Sequence, residues 1–341
     1  MSNNQNDIIL EVKDLRVHFQ LDEGLLKAVN GVDFVVREGK TLGLVGESGC
    51  GKSVTNQALM GLVPHPGVVS GQILLHKKDR KQLDTPIDIV KLPRNGSEIR
   101  SIRGGDIGMI FQEPMKAFSP VHTIANQLCE GIMLHVEPDK KKARQIALQA
   151  LKSVGMNNPE QRLDEYPHQL SGGMRQRAMI AQALSCNPAI LIADEPTTAL
   201  DVTVQAQVLE LMNKLKREFN SAIIFITHDL GVIAEMSDDV AVMYLGQVVE
   251  YTDVDTLFHN PKHPYTQALL RSNPSVNTEV KADLEVIEGT VPYPMNMKPG
   301  CGFYSRCTKR IEGKCNGADI PLVDIGDGHK VRCVREDALK P

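Results

Sequence analysis

The chain has 341 residues, of which 42% are hydrophobic and 23% are charged, and its formal net charge is −4. This length and composition are typical of a globular protein with one large domain and an appendage, or with two domains. The acidic balance argues against a general nucleic-acid-binding surface, and the sequence has neither a secretory signal nor an apolar run near the roughly 20 residues of a membrane helix. We therefore expect a cytosolic protein that meets membranes only through partners.

The N-terminal region is predicted to form a β layer. Residues 1–7 are polar, and we expect them to be a disordered tail. Residues 8–45 alternate apolar and polar side chains in short runs separated by turn residues such as Gly24 and Gly31, which is typical of antiparallel strands. Phe19 lies in this layer. An aromatic ring there suits stacking on an adenine ring, although the periodicity alone favours a core residue.

A glycine-rich loop follows the buried-strand pattern of residues 41–45. It reads G-x-x-x-x-G-K-S, the pattern of a nucleotide-triphosphatase phosphate loop, and residues 54–62 suit the helix that should follow. The glycines permit a turn whose N–H groups bind anionic oxygens, and the helix N-terminus adds positive charge. We expect Lys52 to reach the β- and γ-phosphates and Ser53 to ligate Mg²⁺. A glycine-rich turn without a ligand is the alternative. The loop residues are Gly46, Glu47, Ser48, Gly49, Cys50, Gly51, Lys52 and Ser53.

The centre of the chain alternates predicted strands and helices. We interpret the polar stretch 76–103 largely as an exposed loop. A buried strand is predicted over residues 107–111, ending at Gln112. Residues 121–165 show helical spacing, and Gly155 is a suitable helix stop.

A second pair of glycines is predicted at the start of a helix. Ser171 is suited to cap that helix, and Gly172 and Gly173 follow it. Free N–H groups at a capped helix start can meet a phosphate, although this signal is weak when taken alone.

Acidic and imidazole side chains stand at the ends of two predicted buried strands. The strand over residues 189–193 runs into Asp194 and Glu195, and the strand over residues 222–227 is followed by His228. The carboxyl end of a parallel strand is the ligand-binding edge of such a sheet. We expect Asp194 to hold the Mg²⁺ shell, Glu195 to act as general base on the attacking water, and His228 to contact the γ-phosphate.

The cysteines are unevenly placed. Three of the seven are scattered, at Cys50, Cys129 and Cys186. Disulfides are disfavoured in a reducing cytosol, so a cluster of cysteines indicates a metal site. The tail from about residue 291, which carries the last four cysteines, is poor in large apolar residues and would need a metal site to stabilise its fold. Ligand chemistry fits both zinc and an iron–sulfur cluster. The remaining four cysteines fall within the last 41 residues, at Cys301, Cys307, Cys315 and Cys333.

Taken together, residues 8–255 resemble the ATP-binding subunit of an ABC transporter. The Walker A loop, the signature over residues 170–176 and the Walker B end at Asp194 occur in family order. The resemblance implies a P-loop NTPase α/β fold with a parallel core, an antiparallel β layer and a helical subdomain over about residues 113–175. It also implies roles for further residues. These are Phe19 for adenine stacking, Val54 in the nucleotide site, Gln112 in the Q-loop with Mg²⁺, Gln176 in the signature with Ser171, Gly172 and Gly173, Asp201 in the D-loop of residues 199–201, and His228 as the switch histidine.

The C-terminal part resembles one class of these proteins more narrowly. Residues 259–270 and the spacing C-x5-C-x7-C, with a fourth cysteine further on, are similar to oligopeptide and dipeptide importer ATPases of the D type. This resemblance implies a 4Fe-4S cluster on the four cysteines, with zinc as the alternative. We therefore predict an ABC ATPase domain over residues 8–258 and a small metal-binding extension over residues 259–341.

The resemblance also implies how the protein works. Two ATPase subunits would meet head to tail, so that ATP bound to the Walker A loop of one is covered by the signature helix of the other. The implied partners are a paralogous ATPase subunit in a heterodimer, two transmembrane permease subunits and an extracytoplasmic solute-binding protein, at the cytoplasmic face of the inner membrane.

Two alternatives stay open at this point. The same architecture serves importers of short oligosaccharides, nickel or antimicrobial peptides, and the ATPase does not reveal the cargo. A soluble ABC ATPase of DNA repair or translation is the other alternative. The single cassette and the absence of sustained heptads argue against it.

Overall fold

The computed structural model describes residues 7–77, 85–198, 201–272 and 287–340. The predicted disordered tail, apart from Asp7, lies outside these residues, as do Ala199 and Leu200 of the predicted D-loop.

Strands and helices alternate through most of the described chain. The strands are β1 Ile8–Leu21, β2 Gly24–Arg37, β3 Thr41–Val45, β4 Gly67–Leu75, β5 Ile87–Asp88, β6 Ile107–Ile110, β7 Ile190–Asp194, β8 Ala222–Thr227, β9 Asp239–Tyr244, β10 Gln247–Asp253, β11 Val323–Asp324 and β12 Lys330–Val331. The helices are α1 Lys52–Leu59, α2 Ser97–Ile102, α3 Pro114–Ala117, α4 Ile124–His135, α5 Lys140–Ser153, α6 Pro159–Leu163, α7 Gly172–Leu184, α8 Val202–Phe219, α9 Leu230–Met236, α10 Val254–His259 and α11 Pro264–Arg271.

The described strands form two sheets. The smaller one has the order β2-β1-β4-β5 and is antiparallel throughout, as the alternating N-terminal pattern predicts. The larger one has the order β11-β12-β10-β9-β3-β8-β7-β6, and its strands from β9 to β6 are parallel. Every residue of β3, β7 and β8 is buried, as expected of parallel strands that are covered on both faces. Because these three strands are parallel neighbours, their carboxyl ends lie at the same edge of the larger sheet.

A helical subdomain packs beside the larger sheet. Its core is made of apolar side chains from α4, α5 and α7, among them Leu128, Leu151 and Met179. Thr123 caps α4 through its side chain, Asp139 caps α5, and α5 ends at the Val154–Gly155 turn that its glycine predicts.

The structure differs from the largely exposed loop that the sequence predicts over residues 76–103. The described part of this stretch contains β5, which belongs to the smaller sheet, and α2. Ile99 and Ile102 of α2 are almost fully buried in the hydrophobic core that β1, β2 and β4 share with β3 and α1. Their spacing of three places both on one helical face, which gives a polar segment enough apolar surface to dock.

The C-terminal residues extend the larger sheet. Strand β12 pairs with β10, and β11 pairs with β12. Phe303 packs against Tyr244 and Tyr265 in a buried aromatic group. Within the described ranges, no helix is both long enough and apolar enough to span a membrane.

Candidate functional site

The loop after β3 has a backbone that only glycine accommodates at two points. Gly46 and Gly51 have φ values of 156° and 103°. A Cβ at Gly46 would collide with the Met243 carbonyl oxygen, and one at Gly51 would lie 2.5 Å from the Ala28 carbonyl oxygen. Both the backbone and its surroundings therefore require glycine here. Gly51 is the residue from which α1 begins, so the loop delivers free N–H groups at a helix N-terminus.

Lys52 lies folded over this loop and is 6% exposed. Its Nζ donates to the carbonyl oxygens of Gly46 at 2.7 Å and Glu47 at 3.2 Å. A buried ammonium with only neutral acceptors is incompletely compensated, which makes it a good ligand for anionic phosphate oxygens. Burial also raises the pKa of the neighbouring Cys50 thiol, which is 1% exposed.

Asp194 ends β7 beside the loop and is 9% exposed. Its Oδ2 accepts a hydrogen bond from Asn56 Nδ2 at 3.1 Å. Burial raises the pKa of Asp194, and the negative charge of Glu195 adds to this rise. The hydrogen bond from Asn56 and the positive charge of Lys52 oppose it. A divalent cation at this carboxylate would relieve the cost of its burial, and the nearby Ser53 hydroxyl is the oxygen ligand expected for Mg²⁺.

The carboxylate of Glu195 is the meeting point of the predicted catalytic residues. Its Oε2 accepts hydrogen bonds from Gln112 Nε2 and Thr198 Oγ1, each at 3.0 Å. Its Oε1 lies 3.4 Å from Nδ1 of His228, whose side chain is 62% exposed. Glu195 also has a positive φ of 45°, an uncommon conformation for a non-glycine residue that clusters at functional sites. Three residues that follow three neighbouring strands therefore converge, and their catalytic roles stay predictions.

A cleft of about 440 Å³ lies along the loop. Its wall includes Ser48, Gly49, Cys50, Gly51, Lys52, Ser53, Val54, Gln112 and Glu195, together with Leu26, Ala28 and residues 291–294.

The signature helix α7 begins as its sequence predicts. Ser171 caps it, since its Oγ accepts the Met174 N–H at 3.3 Å. A Cβ on Gly172 would meet nothing within 4 Å, and one on Gly173 would meet only Val204 at 3.6 Å. Gln176 is 2% exposed and donates through Nε2 to the Pro196 carbonyl oxygen at 2.5 Å. The glycines thus face open space, whereas Gln176 connects the helix to the loop that follows β7 through its hydrogen bond.

Two further predicted residues have local structural partners. Asp201 caps α8 by accepting the Val204 N–H at 3.0 Å. Phe19 is half-buried on β1, packs against the same hydrophobic core as α2 and lies beside Gly67. Its role in adenine stacking stays a prediction.

The four C-terminal cysteines converge, but not as a metal site. All four are unpaired, and all four line one small cavity. Burial raises the pKa of Cys301 to about 12, and the other three thiols reinforce that rise. Within the described ranges, no group of three or more His, Cys, Asp or Glu side chains is arranged to hold a metal ion. The predicted metal-binding extension is therefore not confirmed. Cys129 and Cys186 lie elsewhere, in the helical subdomain.

Several contacts of the site escape sequence reasoning. Arg306, next to Cys307, forms a two-point ion pair with Glu47 of the loop at 2.7 and 3.1 Å. The Glu47 N–H donates to Tyr265 Oη at 3.0 Å. These partners are more than 200 residues apart along the chain, so no local pattern signals them. A conspicuous arginine between two cysteines is the only hint the sequence offers.

Two family models match the chain. Residues 29–198 match the model described as ABC transporter. Residues 249–315 match the model described as oligopeptide/dipeptide transporter, C-terminal region. The two matches cover the phosphate loop, the signature helix and three of the four C-terminal cysteines.

Individual proteins agree with these models. The chain is 50% identical to the oligopeptide transport ATP-binding protein AppD of Bacillus subtilis, covering 95% of this chain and 96% of the relative. It is 46% identical to the dipeptide transport ATP-binding protein DppD of the same organism, covering 96% and 95%. Among solved structures, it resembles a dimeric post-hydrolysis state of the ATP-binding cassette MJ0796 bound to ADP and Pi. There the TM-score is 0.61 and the identity 25%, over 72% of this chain and 99% of that one.

Proposed function

Because this chain belongs to the ABC transporter family, as an ATP-binding subunit of the oligopeptide and dipeptide class, we propose that it powers peptide import by hydrolysing ATP in the cleft above its phosphate loop. The observation that carries the proposal is the convergence of Gln112 and His228 on the carboxylate of Glu195 at the edge of that cleft. The names of the relatives favour peptides over oligosaccharides, nickel or antimicrobial peptides as cargo. They also give no support to a role in DNA repair or translation.

Each residue of the site has a separate role in ATP hydrolysis. The loop amides and Lys52 bind the triphosphate, and Lys52 exchanges its two carbonyl partners for phosphate oxygens. Glu195 accepts the proton of the attacking water, while Gln112 and Thr198 hold its carboxylate in place. His228 contacts the γ-phosphate. Ser53, Asp194 and Gln112 would hold Mg²⁺, which would neutralise the charge that develops on the phosphate oxygens.

A second ATPase subunit completes the site. The free space over Gly172 and the capped start of α7 suit a γ-phosphate that the partner's own phosphate loop binds. Bound ATP then joins the two subunits, and hydrolysis releases them. A paralogous ATPase of the same transporter is the partner that the class implies.

A groove beside Gln112 suits the membrane subunits. It has a volume of about 480 Å³ and is lined by both polar and apolar side chains, the latter including Leu62, Met109 and Phe111. Leu62 is 38% and Phe111 is 45% exposed. A short apolar helix of a permease would cover them, and Gln112 would relay the state of the nucleotide to it. This contact would hold the protein at the cytoplasmic face of the membrane, with an extracytoplasmic binding protein supplying the peptide.

We propose an iron–sulfur cluster on the four cysteines, with zinc as the alternative, because the resemblance of the C-terminal region to importer ATPases of the D type implies it. In the described residues, the cysteines as they stand are not arranged to hold a metal ion of either kind. A cluster accepts thiolates that are farther apart than those around a single ion, and the four thiols surround a common cavity. That cavity measures only about 10 Å³, so the thiols would have to move outward. The cluster would act as a staple for a segment with little core of its own.

The proposed catalytic role is tested by Glu195→Gln. The amide cannot accept the water proton, so we expect kcat to fall at least about 100-fold with ATP binding unchanged. Steady-state ATPase assays and equilibrium ATP binding on the same preparation measure both. A variant that hydrolyses ATP at the wild-type rate would contradict the assignment of Glu195 as base.

The cluster is tested by anaerobic purification. We expect a brown protein with iron and acid-labile sulfide in equal amounts, and a colourless Cys307→Ser variant. Cys186→Ser is the matched control, because this half-buried cysteine lies outside the C-terminal cavity. Colourless wild-type protein containing one zinc per chain would replace the cluster with zinc.

A further inference from the structure

A C-terminal segment forms one wall of the nucleotide cleft. Val291, Pro292, Tyr293 and Pro294 line the same cleft as the phosphate loop. They come from a part of the chain more than 230 residues after that loop. The segment lies beyond the match to the ABC transporter model, which ends at residue 198.

Backbone bonds fix this segment to the edge of β2. The Lys27 N–H donates to the Pro294 carbonyl oxygen at 3.0 Å, and the Asn296 N–H donates to the Leu25 carbonyl oxygen at 2.9 Å. The Asn296 side chain accepts the Leu25 N–H at 3.0 Å. Leu26 and Met295 form an isolated antiparallel bridge. The segment is thus added to the sheet edge as a short strand rather than lying loosely over the cleft.

A second anchor holds the chain just before this segment. The Arg306 guanidinium donates to the carbonyl oxygens of Ile287 at 3.1 Å and Glu288 at 3.0 Å, while it also binds Glu47 of the phosphate loop. Pro292 and Pro294 further restrict the backbone on both sides of Tyr293. The ring of Tyr293 is therefore carried on a wall whose backbone is fixed at both ends.

The ring is nevertheless unusually free. Tyr293 is 67% exposed, although it lines a cleft. Phe19, in contrast, is half-buried and packs against the hydrophobic core beside Gly67. An exposed aromatic ring beside a phosphate site is suited to stacking on a purine, because every base has a π-face that such a ring can cover.

We propose that Tyr293 stacks on the adenine of the nucleotide whose phosphates the Gly46–Ser53 loop binds. The base site is then built by the C-terminal region, so that affinity for ATP depends on a segment outside the ATPase domain. This inference rests on the proposed function, since it requires ATP in this cleft.

Comparing the binding of MgATP with that of tripolyphosphate distinguishes a contact with the base from a contact with the phosphates. With full-length protein, we expect Tyr293→Ala to raise the Kd for MgATP about tenfold and to leave the Kd for inorganic tripolyphosphate unchanged. Tyr293→Phe keeps the ring and should bind both ligands as the wild type does. An unchanged Kd for MgATP in Tyr293→Ala would overturn the inference. An equal loss for both ligands would also overturn it, because the residue would then be structural.

A fluorescent reporter gives an independent readout. The chain contains no tryptophan, so Tyr293→Trp introduces a single emitter. We expect MgATP to quench it and tripolyphosphate to leave it unchanged. Leu134→Trp, 73% exposed in the helical subdomain, is the control that should respond to neither. Absence of ATP quenching at position 293, with wild-type ATP affinity, would contradict stacking. Wild-type protein that binds no MgATP would instead overturn the proposed function.

Discussion

The phosphate loop and the start of the signature helix both place glycines at a helix N-terminus, but their surroundings differ. At the loop, carbonyl oxygens of the same chain crowd Gly46 and Gly51. At the signature, Gly172 faces nothing within 4 Å and Gly173 faces a single methyl group. The loop glycines are required by their own fold. The signature glycines are not, so the space over them is available to another molecule.

The same contrast holds for the polar groups around the two places. Lys52 and Glu47 at the loop are bound by neighbours within the chain, including Arg306 from the C-terminal segment. At the signature, Ser171 satisfies only one of the free N–H groups of its helix. One half of the site therefore has its partners within this chain, whereas the proposed role of the other half requires a nucleotide bound to a second subunit.

The largest expected effect comes from filling the open half. Gly172→Glu places a carboxylate where the partner's γ-phosphate would lie. We expect the ATPase rate of the assembled transporter to fall at least about 100-fold, while the isolated chain folds and binds ATP normally. Val68→Glu is the control, since Val68 is 66% exposed on the antiparallel sheet. Full ATPase activity in the Gly172→Glu transporter would refute the role of this space.

The next largest expected effect is a difference in stability between alanine variants at Gly51 and at Gly172. Gly51→Ala forces a side chain into a positive φ and against the Ala28 carbonyl, and should lower the free energy of unfolding by about 2–4 kcal/mol. Gly172→Ala should leave it unchanged or raise it by up to about 1 kcal/mol, because alanine is the better helix former. Urea unfolding of both variants measures the difference. Equal destabilisation at the two positions would remove the contrast.

The smallest expected effect concerns the C-terminal contact with the loop. The Arg306 side chain is 5% exposed, and Arg306→Ala leaves Glu47 without its charged partner. We expect a loss of about 1–2 kcal/mol in the free energy of unfolding, since Glu47 is partly exposed and water replaces some of the bond. Arg310→Ala, at an exposed arginine of the same segment, should change it by less than about 0.5 kcal/mol. Indistinguishable variants would mean that the ion pair contributes nothing.

Sequence reasoning succeeded where one local pattern carries the chemistry. Strand β8 has the bounds that its apolar run predicts, and the residues that follow β6, β7 and β8 converge because parallel strands end at one edge. It failed where contacts join distant segments. Arg306 with Glu47 and residues 294–296 with β2 are such pairs. Helix α2 was missed because its two buried isoleucines sit in an otherwise polar stretch.

The proposed mechanism requires ATP to lie between two subunits. The measurement is the mass in solution, by light scattering during size-exclusion chromatography, of the Glu195→Gln chain mixed with its paralogous ATPase subunit. With MgATP we predict the mass of one dimer, and with MgADP the masses of the separate chains. Separate chains in saturating MgATP, with the nucleotide bound to them, would contradict the account.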